Sequence, residues 1–169
     1  MTQQLPVAVL GASGRMGSEA VKAINNAEDL TVVASLGRGD SLDTVVSAGA
    51  RCLVDLTVPE STADNVAFAV EHGIHAVVGT TGWDGDRLAR LEDMLGAHPS
   101  VGVLIAPNFA LGSVLASAFA ARAARYFESV EIVELHHPDK VDAPSGTAER
   151  TAKLIAQARI QAGVPASPD

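Results

Sequence analysis

A short apolar run, Val7 to Leu10, passes straight into Gly11-Ala12-Ser13-Gly14-Arg15-Met16-Gly17, and this junction constrains the fold more than any other part of the chain. A helical pattern follows from about Met16 to Ala27, with Ala20, Val21 and Ile24 on one face. Strand, glycine turn and helix in that order are the context that a dinucleotide fingerprint requires. The spacing is G-x-x-G-x-x-G rather than G-x-G-x-x-G. Gly11 permits the tight turn, Gly14 lets backbone N–H groups approach a pyrophosphate, and Gly17 allows the helix to pack closely on the sheet. The helix N-terminus adds partial positive charge for the phosphates. An ordinary glycine-rich βα turn reads the same way, so the rest of the chain has to supply the remainder of a cofactor site.

The rest of the chain repeats this alternation. Leu30 to Leu36, Cys52 to Leu56, His75 to Val78 and Val101 to Ile105 read as strands. Between them lie a weak short helix over Leu42 to Ala48, a helix opened by Pro59-Glu60-Ser61 and ended near Glu71 by Gly73, and a helix capped by Asp84 or Asp86 that runs to about Leu95. A long Ala-rich helix spans about Leu111 to Tyr126. With 169 residues the chain can bury a sizeable core, and with 47% hydrophobic and only 4% aromatic residues it is built mainly from Ala and Val. That is the composition of parallel sheets covered on both faces. The fold class expected is α/β: a Rossmann-like parallel sheet over residues 1–109. Residues 110–169 form a connecting helix and the start of a second, α+β domain for substrate and oligomerisation.

The net charge of −8 argues against a nucleic-acid partner, which needs a basic face. No run reaches the apolar length of a membrane span, and Met1 to Pro6 has no secretory pattern, so a soluble cytoplasmic protein is expected. Cys52, the one cysteine, lies in an apolar run and reads as a structural thiol.

Open α/β sheets bind ligands at the carboxyl ends of their strands, and four further segments fall there. After the second strand, an NAD site would place an acid to accept from the ribose 2′-hydroxyl; here the chain has Gly37-Arg38-Gly39-Asp40. Arg38 can face a 2′-phosphate, which favours NADPH over NADH, although Asp40 is near enough to swing in. Thr57 follows the third strand, where it either contacts a ligand or caps the next helix. Gly79-Thr80-Thr81-Gly82 places two hydroxyls between glycines, suited to close backbone approach to a nicotinamide or ribose. Ala106-Pro107-Asn108-Phe109 makes a sharp exit from the fifth strand. One crevice can collect them all. His72, His75 and His98 have no neighbours that suggest catalysis.

A sixth strand, Ser129 to Leu135, alternates apolar and polar residues and is read as the start of a second sheet, although a sheet of one strand is not stable. It leads into Glu134-Leu-His-His-Pro-Asp-Lys-Val-Asp-Ala-Pro-Ser-Gly-Thr-Ala148, the stretch with the highest density of reactive side chains. Consecutive His136 and His137 at a strand end point in opposite directions, so no metal site is expected; separate roles in proton transfer and carboxylate binding fit better. Lys140 supplies a compact cation. Ser145-Gly146-Thr147, opening a helix that runs to about Ala162, offers N–H groups and hydroxyls as an anion site. Together they suggest a substrate with one or two carboxylates. The final Gly163-Val-Pro-Ala-Ser-Pro-Asp169 reads as a linker rather than a domain end.

These motifs resemble those of the dihydrodipicolinate reductase family of lysine and diaminopimelate synthesis. The likeness covers essentially the whole chain, and its most specific part is the His136-His137-x-x-Lys140-x-Asp-Ala-Pro-Ser145-Gly146-Thr147-Ala148 run. The resemblance implies that Gly11, Ala12, Ser13, Gly14, Arg15 and Met16 bind the cofactor diphosphate. Gly79, Thr80 and Thr81 with Ala106, Pro107, Asn108 and Phe109 line the nicotinamide end. It gives His136 the role of acid/base and Lys140 that of proton donor. His137 becomes a substrate ligand, and Gly146 and Thr147 bind a substrate carboxylate, with Ser145 in the same turn. The cofactor implied is NADPH or NADH, the substrate a cyclic imine dicarboxylate, and the complete protein a cytoplasmic homotetramer. Two features depart from the family pattern. Gly37 stands where the ribose-binding acid belongs, and family members continue well past Asp169. A non-catalytic NAD(P)H-binding fragment or sensor is therefore the alternative reading.

Overall fold

The structure is a computed structural model that describes residues 4–106, 108–136 and 144–165. It divides into two compact units, Met1–Ala106 and Pro107–Asp169.

In the first unit five strands form one parallel sheet: β1 (Leu5–Leu10), β2 (Leu30–Leu36), β3 (Cys52–Asp55), β4 (His75–Val78) and β5 (Val103–Ile105), in the order β2-β1-β3-β4-β5. The helices between them are α1 (Arg15–Asn26), α2 (Asp43–Ser47), α3 (Thr62–Glu71) and α4 (Gly85–Ala97). This is the Rossmann-like α/β architecture that the alternation of apolar runs and helical patterns predicts. The chain runs from β1 outward to β2 and then returns past β1 to β3, so the strand order reverses between β1 and β3 and opens a crevice at their carboxyl ends.

Period two along β1 builds two cores at once. Val7 and Val9 pack with Ile24, Ala20 and Val21 of α1, while Ala8 and Leu10 join Leu53, Ala76 and Val78 under Val45 of α2, Val66 and Val70 of α3 and Leu91 of α4. Cys52 belongs to the first of these; burial pushes its thiol pKa up, which keeps it protonated and structural. Two ambiguous histidines are structural as well. His75 Nδ1 accepts from the Gly102 N–H at 2.9 Å, and His72 stacks on Phe68 with Nδ1 2.8 Å from the Phe68 carbonyl. Asp84, not Asp86, caps α4 by accepting from the Arg87 N–H at 2.8 Å.

The second unit pairs α5 (Leu111–Ala123), extended by a 3₁₀ turn at Ala124–Tyr126, with α6 (Gly146–Gln161). Small hydroxyl residues stitch the two together: Ser117 Oγ lies 2.8 Å from Thr151 Oγ1, and each also bonds a carbonyl one turn earlier in its own helix. The sixth strand expected over Ser129–Leu135 does not form; those residues are extended or irregular backbone without a ladder partner among the described residues. Alternation alone does not make a strand, because its N–H and C=O groups need a neighbour to bond. Val133 and Leu135 are correspondingly exposed.

Arg159 anchors this unit. It is only 6% exposed, and its guanidinium donates to four main-chain carbonyls: Ala124 at 2.9 Å, Phe127 at 2.6 Å, Glu128 at 3.0 Å and Pro165 at 2.9 Å. Two of these close the end of the α5 segment, and the last ties down the chain after α6. Replacing Arg159 with Ala removes a buried side chain together with its four bonds and is expected to lower the stability of this unit by about 3 kcal/mol. A urea midpoint followed by circular dichroism reads the loss.

Candidate functional site

The crevice in the first unit is assembled by main-chain bonds that continue the sheet past the strand ends. Ala12 N–H donates to Leu36 O, Leu56 N–H to Leu10 O, Gly79 N–H to Asp55 O and Ala106 N–H to Val78 O, at 2.8–3.2 Å. The glycine turn, Gly37 to Asp40, Thr57, Gly79 to Gly82 and Ala106 therefore leave the sheet along one edge.

Each glycine of the turn has its own reason. Gly11 sits at φ +72°, and a Cβ there would run into the Leu56 carbonyl. A Cβ on Gly17 would run into the Gly11 carbonyl and Ala12 Cα. Gly14, at φ −74°, is different: an added Cβ meets only the Gly11 oxygen, at 3.2 Å, and the residue is exposed. Gly11 and Gly17 thus serve packing, while Gly14 leaves open the approach to α1. That helix begins without a side-chain cap and without an acid in its first turn. The N–H groups of Arg15, Met16 and Gly17 have no intrahelical acceptor. An uncapped N-terminus rimmed by exposed Ser13 and Arg15 fits the diphosphate of a dinucleotide.

Behind this edge lies a buried carboxylate that reading the sequence did not single out. Asp55, fully buried at the end of β3, accepts from Thr57 N–H at 2.9 Å, Thr57 Oγ1 at 2.5 Å, Asn65 Nδ2 at 3.2 Å and Thr80 Oγ1 at 3.2 Å. The Thr57 and Thr80 hydroxyls are therefore directed inward. Of the 79–82 turn, it is the backbone and the exposed Thr81 that face outward. Arg87 of α4 fastens the same turn, donating to the carbonyls of Gly82 and Pro59 at 2.8 Å each. Trp83, next in the chain, packs on the core with its indole N–H buried and unpaired among the described residues, and lines a cavity of about 360 Å³ with Arg87, Arg90 and Met94. Only an Asp at the end of an apolar strand, followed two residues on by Thr, hinted at the Asp55 hub in the sequence.

The second unit holds the other half of the expected residues. Asn108 folds over the start of α5: Oδ1 accepts from Ala110 N–H at 2.8 Å, and Nδ2 donates to Ser113 Oγ at 2.8 Å and to Thr147 Oγ1 at 3.3 Å. Phe109 is half exposed beside it. Ser145, not Thr147, caps α6; its Oγ accepts from Ala148 N–H at 3.2 Å. The Ser145 N–H is itself taken by Glu134, whose two oxygens lie 2.8 and 3.0 Å away. A capping box normally draws its acid from the third helical residue, which here is Ala148; Glu134 supplies it from eleven residues upstream. The N–H groups of Gly146 and Thr147 remain without intrahelical acceptors and point toward whatever approaches the helix. His136 is exposed, with Nδ1 3.8 Å from Glu134 Oε2, an ion-pair distance beyond hydrogen-bond reach. Pro107, His137 and Lys140 lie outside the described residues. Among the described residues no three His, Cys, Asp or Glu side chains gather as a metal site requires.

The sheet order, the crevice and the uncapped glycine turn define a Rossmann-like α/β protein. Two family models match the chain, dihydrodipicolinate reductase N-terminus over residues 5–109 and dihydrodipicolinate reductase C-terminus over residues 112–167. The chain belongs to the dihydrodipicolinate reductase family. It is 63% identical over 166 residues to a protein of Streptomyces griseus named 4-hydroxy-tetrahydrodipicolinate reductase, covering 98% of this chain and 66% of that one. A protein of the same name from Nocardia farcinica is 56% identical over 163 residues, covering 96% of this chain and 66% of its own length. The chain thus spans just under two thirds of these curated relatives. A solved structure, dipicolinate-bound dihydrodipicolinate reductase from Paenisporosarcina sp. TG-14, superposes with a TM-score of 0.78 at 33% identity, over 93% of this chain and 67% of that one. The myo-inositol 2-dehydrogenase of Lactobacillus plantarum, at 12% identity and a TM-score of 0.58 over 72% of this chain and 42% of that one, shares the fold alone.

Two predictions follow from the geometry. Gly14→Val is expected to fold and to weaken NAD(P)H binding more than tenfold, on the order of 1.5 kcal/mol, whereas Gly17→Ala destabilises the first unit by about 2 kcal/mol or more; thermal melts paired with cofactor titrations separate the two. Glu134→Ala is expected to cost α6 about 1 kcal/mol, and Glu134→Gln less, because the amide oxygen still accepts from Ser145. Urea melts of the two variants check the order.

Proposed function

We propose that this chain carries the cofactor-binding and proton-donating parts of an NAD(P)H-dependent reductase that converts 4-hydroxy-tetrahydrodipicolinate to tetrahydrodipicolinate in lysine and diaminopimelate synthesis. The observation that carries the reading is the bond between Asn108 and Thr147. It sets the loop assigned to the nicotinamide end beside the helix N-terminus assigned to a substrate carboxylate. Placement of the active protein in the cytoplasm as a homotetramer goes with the same reading.

The cofactor, when bound, supplies a hydride. The residues of the chain do the rest. The first turn of α1, with Ser13, Arg15 and Met16, holds the diphosphate. The backbone of Gly79 to Thr81, with Ala106, Pro107, Asn108 and Phe109, orients the nicotinamide ring. Loss of water from the substrate leaves an electron-poor C=C–C=N system flanked by two carboxylates. Gly146 and Thr147 N–H groups and His137 pin a carboxylate, which withdraws charge from the reacting carbon. Reduction at one end of that system calls for a proton at the other, and His136 with Lys140 provides it. The alternative is a non-catalytic NAD(P)H-binding fragment.

Trp83 gives a direct test, because the one Trp of the chain follows the 79–82 turn. Reduced cofactor is expected to quench Trp83, and pyridine-2,6-dicarboxylate to tighten that binding. Where turnover is measurable, His136→Ala should lower the rate by two or more orders of magnitude, as loss of an acid/base group does, and leave cofactor affinity in place. Quenching that no dicarboxylate alters, with a rate indifferent to His136, sinks the reductase reading in favour of the fragment.

A further inference from the structure

We propose that Asp40 sets the cofactor preference of this chain toward NADH, by presenting from three residues downstream the carboxylate that the end of β2 lacks. The proposal rests on the reading of the glycine turn as a dinucleotide site and concerns the adenosine ribose end of it.

The chain leaves β2 at the buried Leu36, and the next residue, where an acid would accept from a ribose hydroxyl, is Gly37. The Gly37 N–H donates to Asp40 Oδ2 at 2.7 Å, across a turn also joined by Asp40 N–H to the Gly37 carbonyl at 3.5 Å. Gly39, at φ +91°, is the residue that allows the turn to double back. A Cβ placed on Gly37 would lie 3.7 Å from Asp40 Oδ2 and 3.8 Å from Ser13 Oγ. The Asp40 carboxylate therefore occupies the neighbourhood from which an acidic side chain at position 37 would project, and it does so next to the glycine turn. That turn is pinned to the same strand end by the bond from Ala12 N–H to Leu36 O. Asp40 Oδ1 has no hydrogen bond among the described residues and is left to accept from a 2′-hydroxyl.

A 2′-phosphate brought to the same place meets a carboxylate instead of a counter-ion. Arg38, which from the sequence alone favours NADPH, is exposed on the turn and makes no ion pair among the described residues. A solvated guanidinium contributes little compared with a like charge held at close range. The backbone bond that fixes Asp40 thus decides against the phosphate.

The test titrates the 169-residue chain with NADH and with NADPH, following Trp83 quenching and checking by calorimetry. The wild-type chain is expected to bind NADH about tenfold more tightly, the difference that one charge-assisted hydrogen bond makes. Asp40→Ala should weaken NADH by about tenfold and leave NADPH unweakened, so that the preference disappears or inverts. Adding Gly37→Asp to Asp40→Ala should restore it. Position 37 is outside the left-handed region, and a side chain there meets only ordinary contacts, so the double variant is expected to fold; melts without cofactor check this. A wild-type chain that prefers NADPH, or an unchanged ratio in Asp40→Ala, overturns the role given to Asp40 while leaving the dinucleotide site standing. Failure of the wild-type chain to bind either cofactor removes the dinucleotide reading itself, and this proposal with it.

Discussion

The first unit depends on a carboxylate that never meets solvent. Asp55 ends β3 inside the sheet and gathers donors from its own exit turn, from α3 and from the exit of β4. A carboxylate buried without donors costs several kcal/mol, so each of these bonds is needed for the strand to end there at all. The consequence is positional. The exits of β3 and β4 are held against a common point, Arg87 holds the second of them from outside, and Leu56 is brought against Gly11. The exits at the open edge of the sheet are tied in place by polar atoms satisfied behind it.

The second unit uses the same device with the opposite sign. Arg159 gathers carbonyls as Asp55 gathers N–H and hydroxyl groups, and Glu134 closes the α6 cap from eleven residues upstream. Both are local answers to unpaired backbone groups, and apart from the Pro165 carbonyl the groups they satisfy lie eleven or more residues away. Around them, Ile160, Leu111 and Phe119 remain exposed. Specific polar bonds, more than burial, define the arrangement of α5 and α6.

The alternation of apolar runs and helical periods was enough to read the five strands, their membership of one parallel sheet and the helices between them, but not the order of the strands in it. Fully buried parallel strands leave continuous Val and Ala runs, and the segments between them leave a 3.6-residue period. What the sequence misread or left open fell where a residue's state depends on something beyond its own type. Ser129–Leu135 has the pattern of a strand but no neighbour to pair with among the described residues. Asp84 and Asp86, or Ser145 and Thr147, are equally good caps by type, and only the backbone path selects between them. Arg159 gave no warning and Asp55 only the hint of a Thr two residues on, since a lone charge in an apolar context reads the same whether it is satisfied or merely exposed.

The sequence by itself determined the class of fold, the place of the glycine turn at the first strand exit and the inventory of chemistry in His136, His137, Lys140 and the Ser-Gly-Thr turn. These follow from local rules of sterics, periodicity and side-chain type. Tertiary structure alone decided which groups are spent on the protein itself and which are left for a ligand. The Thr57 and Thr80 hydroxyls and the Ser145 N–H are spent; among the described residues, the N–H groups at the starts of α1 and α6 and one oxygen of Asp40 are not. That division rests on hydrogen bonds that join some residues two or three apart and others eleven or twenty-five apart. Their geometry exists only once the backbone has brought them to about 3 Å, the separation at which such bonds form.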